Sequence, residues 1–303
     1  MNRNSTGNSG KMVKKGSLYS LGKYKLPYSF LLPTFLFLLV FLAIPLLFGI
    51  YMSFQKIFLN GTVKFVGFHN YQVLLGESRF INNLKLSLLY VAGNLGLTVP
   101  LAYGAALLVT SKLKGVPFFR AIFLLPFIAA PIVTAVLFRA MADPTSGPLT
   151  ILLNRLTGKH YIILADPVLS KLIIIVHSWW RSFPFVMLFL SAGIASIPNE
   201  IYEAAKVDGA SGWKRFRYLT FPLTKIHLAL SLLIITMWTL QDAETVYALT
   251  GGGPGYSTEV MAVRLFKDSF INFNLSVGAT IGVFLLLISV IFMGLYLTFL
   301  GKE

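Results

Sequence analysis

The chain has 303 residues, of which 56% are hydrophobic and 12% charged, with a net charge of +15 and no cysteine. A water-soluble domain carries about 25% charged residues, so this composition excludes a soluble globular protein and requires several membrane spans. Without cysteine there are no disulfides or thiolate metal sites, and the basic residues are spread as membrane topology demands rather than gathered into a nucleic-acid patch.

Residues 1–25 read as a polar tail, opening with Asn, Ser, Gly and Lys, that cannot bury enough apolar surface to fold. The apolar stretch behind it is longer than the roughly 7–15 residues of a signal-peptide core, so it is a first span and not a leader. Six runs almost free of charge follow: Leu26–Phe54 (29 residues), Leu86–Ser111 (26), Ala121–Phe138 (18), Leu172–Ile197 (26, broken by Arg181), Ile226–Gln241 (16) and Ser269–Gly301 (33). A hydrocarbon core about 30 Å thick takes about 20 helical residues. The fifth run reaches that length by continuing through Asp242 and Glu244 to Tyr247, their carboxylates facing protein or water. The reading is an all-α membrane protein with about six transmembrane helices over residues 26–303. Between the third and fourth runs, a turn-rich stretch from Asp143 leads into Leu149–Leu156, read as an interfacial helix.

Of the 26 Lys and Arg residues, 15 lie in the tail, in the connections after the second and fourth runs, and at Lys302. Ten lie in the opposite loops and Arg181 lies within a run. This asymmetry predicts that both termini and the 199–224 loop are cytoplasmic.

Residues 199–224 carry a spaced pattern: Glu203-Ala204-Ala205, three residues, Gly209, nine residues, then Leu219, any residue, Phe221 and Pro222. Asn199 is placed to cap a short helix, Glu200 and Glu203 suit its positive N-terminal end, and Gly209 suits its left-handed terminus. A basic amphipathic segment, Trp213–Leu219, is expected to stop at Pro222. The pattern resembles the EAA loop of permease subunits in ABC importers, with Leu219 and Phe221 in place of the more usual Ile and Leu. The resemblance implies a type I ABC importer permease fold. It also implies that Glu203, Ala204, Ala205, Asp208, Gly209 and Pro222 form the docking surface for a separate ATPase.

A second string, Glu244 through Glu259, contains Leu249-Thr250-Gly251-Gly252-Gly253-Pro254. It resembles the outer end of the fifth span in maltose-type, MalF-like carbohydrate-uptake permeases. Leu32-Pro33, Pro45, Ser53-Phe54, Phe68-x-Asn70-Tyr71, Leu125-Pro126 and Trp180 with Pro184-Phe185 extend the resemblance over residues 27–300, without a large external domain. It implies that Gly251, Gly252, Gly253 and Pro254 face an extracytoplasmic solute-binding protein. The implied partners are a second, MalG-like permease and two ATP-binding subunits, with ATP and Mg used by those subunits and no cofactor held in this chain. A multi-pass protein of a prokaryotic plasma membrane is implied.

Polar residues inside the spans are candidates for a carbohydrate pathway. Arg181 lies near mid-membrane, where a lone Arg costs at least about 2.5–3.5 kcal/mol unless paired or wetted. Trp179 and Trp180 precede it and offer flat faces for a sugar, with Gln241, Asp242, Glu244 and Asn94 as polar candidates. An Arg181–Asp242 ion pair holding helices together is the structural alternative. Gly278-x-x-x-Gly282 reads as a close helix-packing face. His69, His160, His177 and His227 have no ligand spacing, and no P-loop is present. The chain therefore reads as a non-enzymatic permease for a sugar or oligosaccharide moving by alternating access. A same-fold permease for another solute such as glycerol phosphate is the second reading. A membrane-embedded glycosyltransferase is the third, and no acidic cluster supports it.

Overall fold

The computed structural model describes residues 25–58, 61–111 and 113–300, with the side chains of residues 25–29 and Phe299 excepted. The expected tail lies outside the described residues except for the backbone of Lys25, as do Lys112 and Lys302. The chain divides into two units, residues 1–49 and 50–303.

In the first unit, α1 (Lys25–Leu38) runs through one wide turn, Leu39–Ala43, into α2 (Ile44–Ser53), inside which the unit boundary falls. The widened turn lies just ahead of Pro45. Proline has no N–H and its ring clashes with the carbonyl four residues back; shifting the local bonding by one residue relieves both demands. The Ile44 N–H accordingly bonds the Leu39 carbonyl. Phe30–Ser53 forms an apolar, span-length helix of 24 residues.

The second unit opens with a short antiparallel hairpin, β1 (Gln55–Ile57) and β2 (Val63–Phe65), paired Gln55 to Phe65 and Ile57 to Val63. This is a small departure from the all-α expectation. It is held by α3 (His69–Gly76), whose Asn70 donates to the carbonyls of Ser53 and Gln55 at 2.8 Å each. That contact explains the Phe68-x-Asn70-Tyr71 string. Two long helices follow as the frame: α4 (Ser78–Val109, 32 residues) and α8 (Pro167–Ala195, 29 residues). Each exceeds the roughly 20 residues needed to cross. So α4 carries Arg79 and Lys85, and α8 carries Lys171, outside the uncharged runs; Arg181 is not the only basic residue in a spanning helix.

The third span is not a straight helix. α5 (Val116–Ile128) and α6 (Pro131–Met141) meet at 95°. Pro131 pushes the residue before it out of helical geometry, and Ala129 and Ala130 are both extended, with ψ 141° and 135°. α7 (Pro148–Thr157) covers the short helix expected over Leu149–Leu156.

After α8 come α9 (Asn199–Val207), α10 (Gly212–Arg215) and α11 (Phe221–Leu223). A second wide turn, Phe216–Thr220, joins α10 to α11 two residues ahead of Pro222. Pro222 therefore does not stop the helix; the widened turn absorbs it, the Phe221 N–H bonding the Phe216 carbonyl. A 65° bend then leads into α12 (Lys225–Leu240). The fifth span ends there and does not continue to Tyr247. Asp242 instead starts a separate helix, α13 (Ala243–Thr250). α14 (Met261–Phe266) and α15 (Leu275–Leu300) complete the fold. Among the described residues four helices are long and apolar enough to cross a membrane, and up to six spans result if each bent pair is one.

Two apolar cores lie along α4 and α8. One gathers Phe80, Tyr90, Ile173, Val246, Met261 and Ile281. The other gathers Ala102, Ala106, Phe183, Met187, Leu190 and Ile235. Gly278 of α15 lies against the turn after α14; a Cβ there would collide with the Ser269 hydroxyl. Gly282 makes only an ordinary contact with Leu265, so the close approach belongs to Gly278 and the Ser269 turn and not to the Gly278-x-x-x-Gly282 pair.

Candidate functional site

The two helix breaks meet. A cavity of about 240 Å³ is lined by Phe127 and Pro131 from the α5–α6 break, and by Ser178, Arg181 and Ser182 from α8. Trp238, Thr239, Gln241, Asp242, Glu244 and Thr245, around the α12–α13 break, complete it. Interrupted helices are tolerated at membrane depth where they line a cavity and not lipid. Arg181 is the midpoint of the 29-residue α8. Its Nε is buried and meets no hydrogen-bond partner.

The Arg181–Asp242 ion pair does not form. Asp242 is engaged otherwise: Tyr90 donates its hydroxyl to Oδ2 at 2.8 Å, and the Thr245 N–H donates to Oδ1 at 3.1 Å. The Thr245 hydroxyl also donates to Oδ1. Asp242 thus caps α13, the reason the helix restarts at Ala243.

Of the candidates named from the sequence, Arg181, Gln241, Asp242 and Glu244 come together in the cavity. Trp179 and Trp180 do not line it. Trp180 packs on Phe138 with ring centres 5.4 Å apart, and Trp179 on Phe183 at 6.3 Å. On a helix, consecutive residues are turned by about 100°; Ser178, Arg181 and Ser182 reach the cavity while Trp179 and Trp180 turn toward other aromatic rings. The aromatic surface comes instead from Trp238, stacked on Phe127 at 6.4 Å and 24°. Asn94 is buried one layer behind the wall. It donates to Thr239 Oγ1 at 2.8 Å and to Ser182 Oγ at 3.3 Å, and accepts from Thr98. It orients two hydroxyls that do line the cavity.

The 199–224 segment is differently built from its expectation at one end. Pro198, not Asn199, holds the cap position, and no side chain caps α9. At the other end Gly209 has φ +74°. The Ala210 N–H reaches the Ala205 carbonyl at 2.9 Å, and the Gly209 N–H the Lys206 carbonyl at 3.0 Å, the paired bonds of a Schellman terminus. Asp208 is the residue between. No residue of α9 is buried, so Glu203, Ala204 and Ala205 lie on an unburied helix. Pro222 sits in α11, on the far side of the wide turn.

The Gly251–Pro254 turn is held from beneath by a cluster the sequence reading did not assign. Glu259 is fully buried beneath it. Arg79 donates to both its oxygens, at 2.8 and 2.9 Å, Lys267 at 3.1 Å and Asn83 at 3.2 Å. Burial pushes the Glu259 carboxyl upward, but the Arg79 and Lys267 bonds outweigh it and hold it below the usual carboxylate range. Arg264 extends the network to Glu77 and Asp268. Gly252, at φ +87°, passes over this carboxylate; a Cβ there would stand 3.2 Å from Glu259 Cβ. Among the described residues no group of three or more His, Asp or Glu side chains has the geometry of a metal site.

Residues 98–300 match the family described as binding-protein-dependent transport system inner membrane component. A probable ABC transporter permease protein of Pyrococcus horikoshii is 35% identical, over 92% of this chain and 98% of its own length. The sn-glycerol-3-phosphate transport system permease UgpA of Rhizobium meliloti is 31% identical over 87% and 90%. The trehalose/maltose transport system permease MalF of Thermococcus litoralis is 31% identical over 80% and 83%. Among solved structures, a bacterial ABC transporter involved in import of the acidic polysaccharide alginate aligns with TM-score 0.78 at 22% identity, over 93% of this chain and 96% of that one. The chain belongs to the family of binding-protein-dependent inner membrane components: it is a multi-pass plasma-membrane permease of an ABC importer.

Proposed function

We propose that this permease carries a neutral sugar or oligosaccharide, and that the cavity between the two helix breaks is part of its path. The observation that carries the reading is the cavity wall: an unpartnered Arg181 Nε, the hydroxyls of Ser178, Ser182 and Thr239, the Gln241 amide and two carboxylates, beside the Trp238–Phe127 face. A sugar offers hydroxyls that donate and accept, and an apolar ring face; this wall offers the complement of each. The relatives named for glycerol phosphate favour the second reading, a phosphorylated solute on Arg181. Asp242 and Glu244 in the same wall oppose it, because a dianionic phosphate would meet two carboxylates for one cation.

In this reading residues 1–25 are a cytoplasmic tail, 26–303 the permease body, both termini are cytoplasmic, and Gly251–Pro254 faces the solute-binding protein. α9 and Gly209 dock against one of two ATP-binding subunits, which consume ATP and Mg, while a second MalG-like permease completes the path. Closure of the ATPases would move α9 and rock the bundle between outward and inward access. The test is uptake into proteoliposomes holding the whole complex, with its binding protein outside. A neutral sugar should be accumulated and unlabelled glycerol 3-phosphate should not compete; competition by the phosphate at equal concentration would replace this reading with the second.

A further inference from the structure

We infer that the cleft between the inner ends of α4 and α8 and the 199–224 segment holds an anionic phospholipid. The cleft encloses about 930 Å³. Its lining mixes apolar side chains, Leu107 near the end of α4 and Leu188 and Ile194 on the inner half of α8, with the hydroxyls of Thr110, Ser191 and Thr220. Its rim carries Arg120, Lys206 and Arg215, and no carboxylate lines it among the described residues. Three cations without a carboxylate, beside apolar side chains and hydroxyls, suit a phosphate ester joined to acyl chains.

A second, independent observation concerns the 212–223 segment, which carries Arg215 of the rim. α10 to α11, from Gly212 to Leu223, meets α12 at 65°. Its 12 residues, at about 1.5 Å each, span about 18 Å, and at that bend their rise along α12 is only about 8 Å. The segment therefore runs more across the axis of α12 than along it. One stripe of it is exposed and amphipathic: Trp213 and Tyr218, at 71% and 72%, flank Lys214 and Arg217. Interfacial aromatics beside Lys and Arg are the composition of a surface resting on anionic headgroups. The opposite face packs inward, Phe216 edge-on to Tyr103 at 5.3 Å and Thr220 hydrogen-bonded to Tyr202 at 3.0 Å. The segment is thus fixed to the bundle, and its Arg215 belongs to a preformed wall.

The test uses the whole transporter complex in nanodiscs of phosphatidylcholine with or without phosphatidylglycerol, read by native mass spectrometry for lipid retained after detergent transfer. Phosphatidylglycerol should be retained preferentially. Arg120→Gln with Arg215→Gln should weaken retention about 25-fold, since each basic residue near a headgroup is worth about 1 kcal/mol. Arg120→Lys with Arg215→Lys should restore most of it. Equal retention of the zwitterionic lipid would overturn the proposal, leaving an apolar groove only. Displacement of the lipid by inorganic phosphate would assign the rim to a free anion instead. If the Gln variant does not assemble, the lipid comparison on the unaltered complex still decides. Cross-linking of Arg215→Cys to the ATPase, with no lipid retained, would make the cleft a protein contact and also overturn it. None of these readouts depends on which solute is carried.

Discussion

Arg181 concentrates the chemistry at the scale of single residues. Its Nε has no partner and Asp242 is committed to Tyr90 and Thr245, so removing the guanidinium strands no carboxylate. Arg181→Ala should therefore leave the complex assembled and raise the half-saturation concentration for the sugar about tenfold or more, the worth of one charged hydrogen bond. Loss of assembly in size-exclusion profiles would instead make Arg181 structural. Gly209 is a second such residue. A Cβ there meets open space, so the cost of substitution is backbone strain alone. Asn tolerates the left-handed region and Val does not. Gly209→Val should uncouple solute-stimulated ATP hydrolysis while Gly209→Asn retains most of it; equal loss in both would mean that side-chain bulk, not the turn, matters at the docking face. Arg181 and Gly209 were legible in the sequence because a charge in an apolar run, and a glycine after a short helix, each have few physical explanations. Trp238 was not, since it stands in an uninterrupted apolar run; its spacing of three from Gln241 puts both on one face, and only the wall around Arg181 gives that face meaning.

Elements were legible where composition alone decides them. α4 and α8 followed from uncharged length, and α7 from the turn residues ahead of it. The 95° break between α5 and α6 was not read, although Pro131 stood in the sequence, because a proline in an apolar run is compatible with a kinked but continuous span. The α12–α13 break is hidden for a related reason: in sequence Asp242 reads as a charge to be sheltered, whereas in the fold it is a cap that starts a helix. Glu259 shows what pairwise reading omits. Its partners Arg79 and Lys267 are 180 and 8 residues away, and no local pattern joins them. Glu259→Leu should lower stability by about 2–3 kcal/mol, less than a fully enclosed pair because Arg79 and Lys267 are partly exposed. The carboxyl is held below its usual value in the fold. Its contribution is therefore complete above the unfolded value, about 4.3, and is lost as pH falls through the lower folded value. Proteolysis at the 251–258 turn should stay slow down to about pH 4 and accelerate only below that; acceleration between pH 5 and 7 would contradict the ion pairing.

For the whole molecule, orientation rests on the Lys and Arg distribution. Thr145, exposed in the turn before α7, and Val207, at 88% exposure on α9, lie on opposite sides of the membrane in this account. No native cysteine interferes. Thr145→Cys should react with an impermeant maleimide added outside intact cells and Val207→Cys should not. The reverse pattern would put α9 outside and end the docking argument. The central claim is that solute engaged by this chain's cavity is coupled through α9 to an ATPase on the other side. Its most direct test is ATP hydrolysis by the whole complex in proteoliposomes, with sugar-loaded binding protein supplied only outside. Loaded binding protein should stimulate hydrolysis, Arg181→Ala should shift the sugar dependence of that stimulation, and Gly209→Val should abolish it with the complex intact. Hydrolysis that is unmoved by loaded binding protein, or stimulated equally in both variants, would contradict that claim.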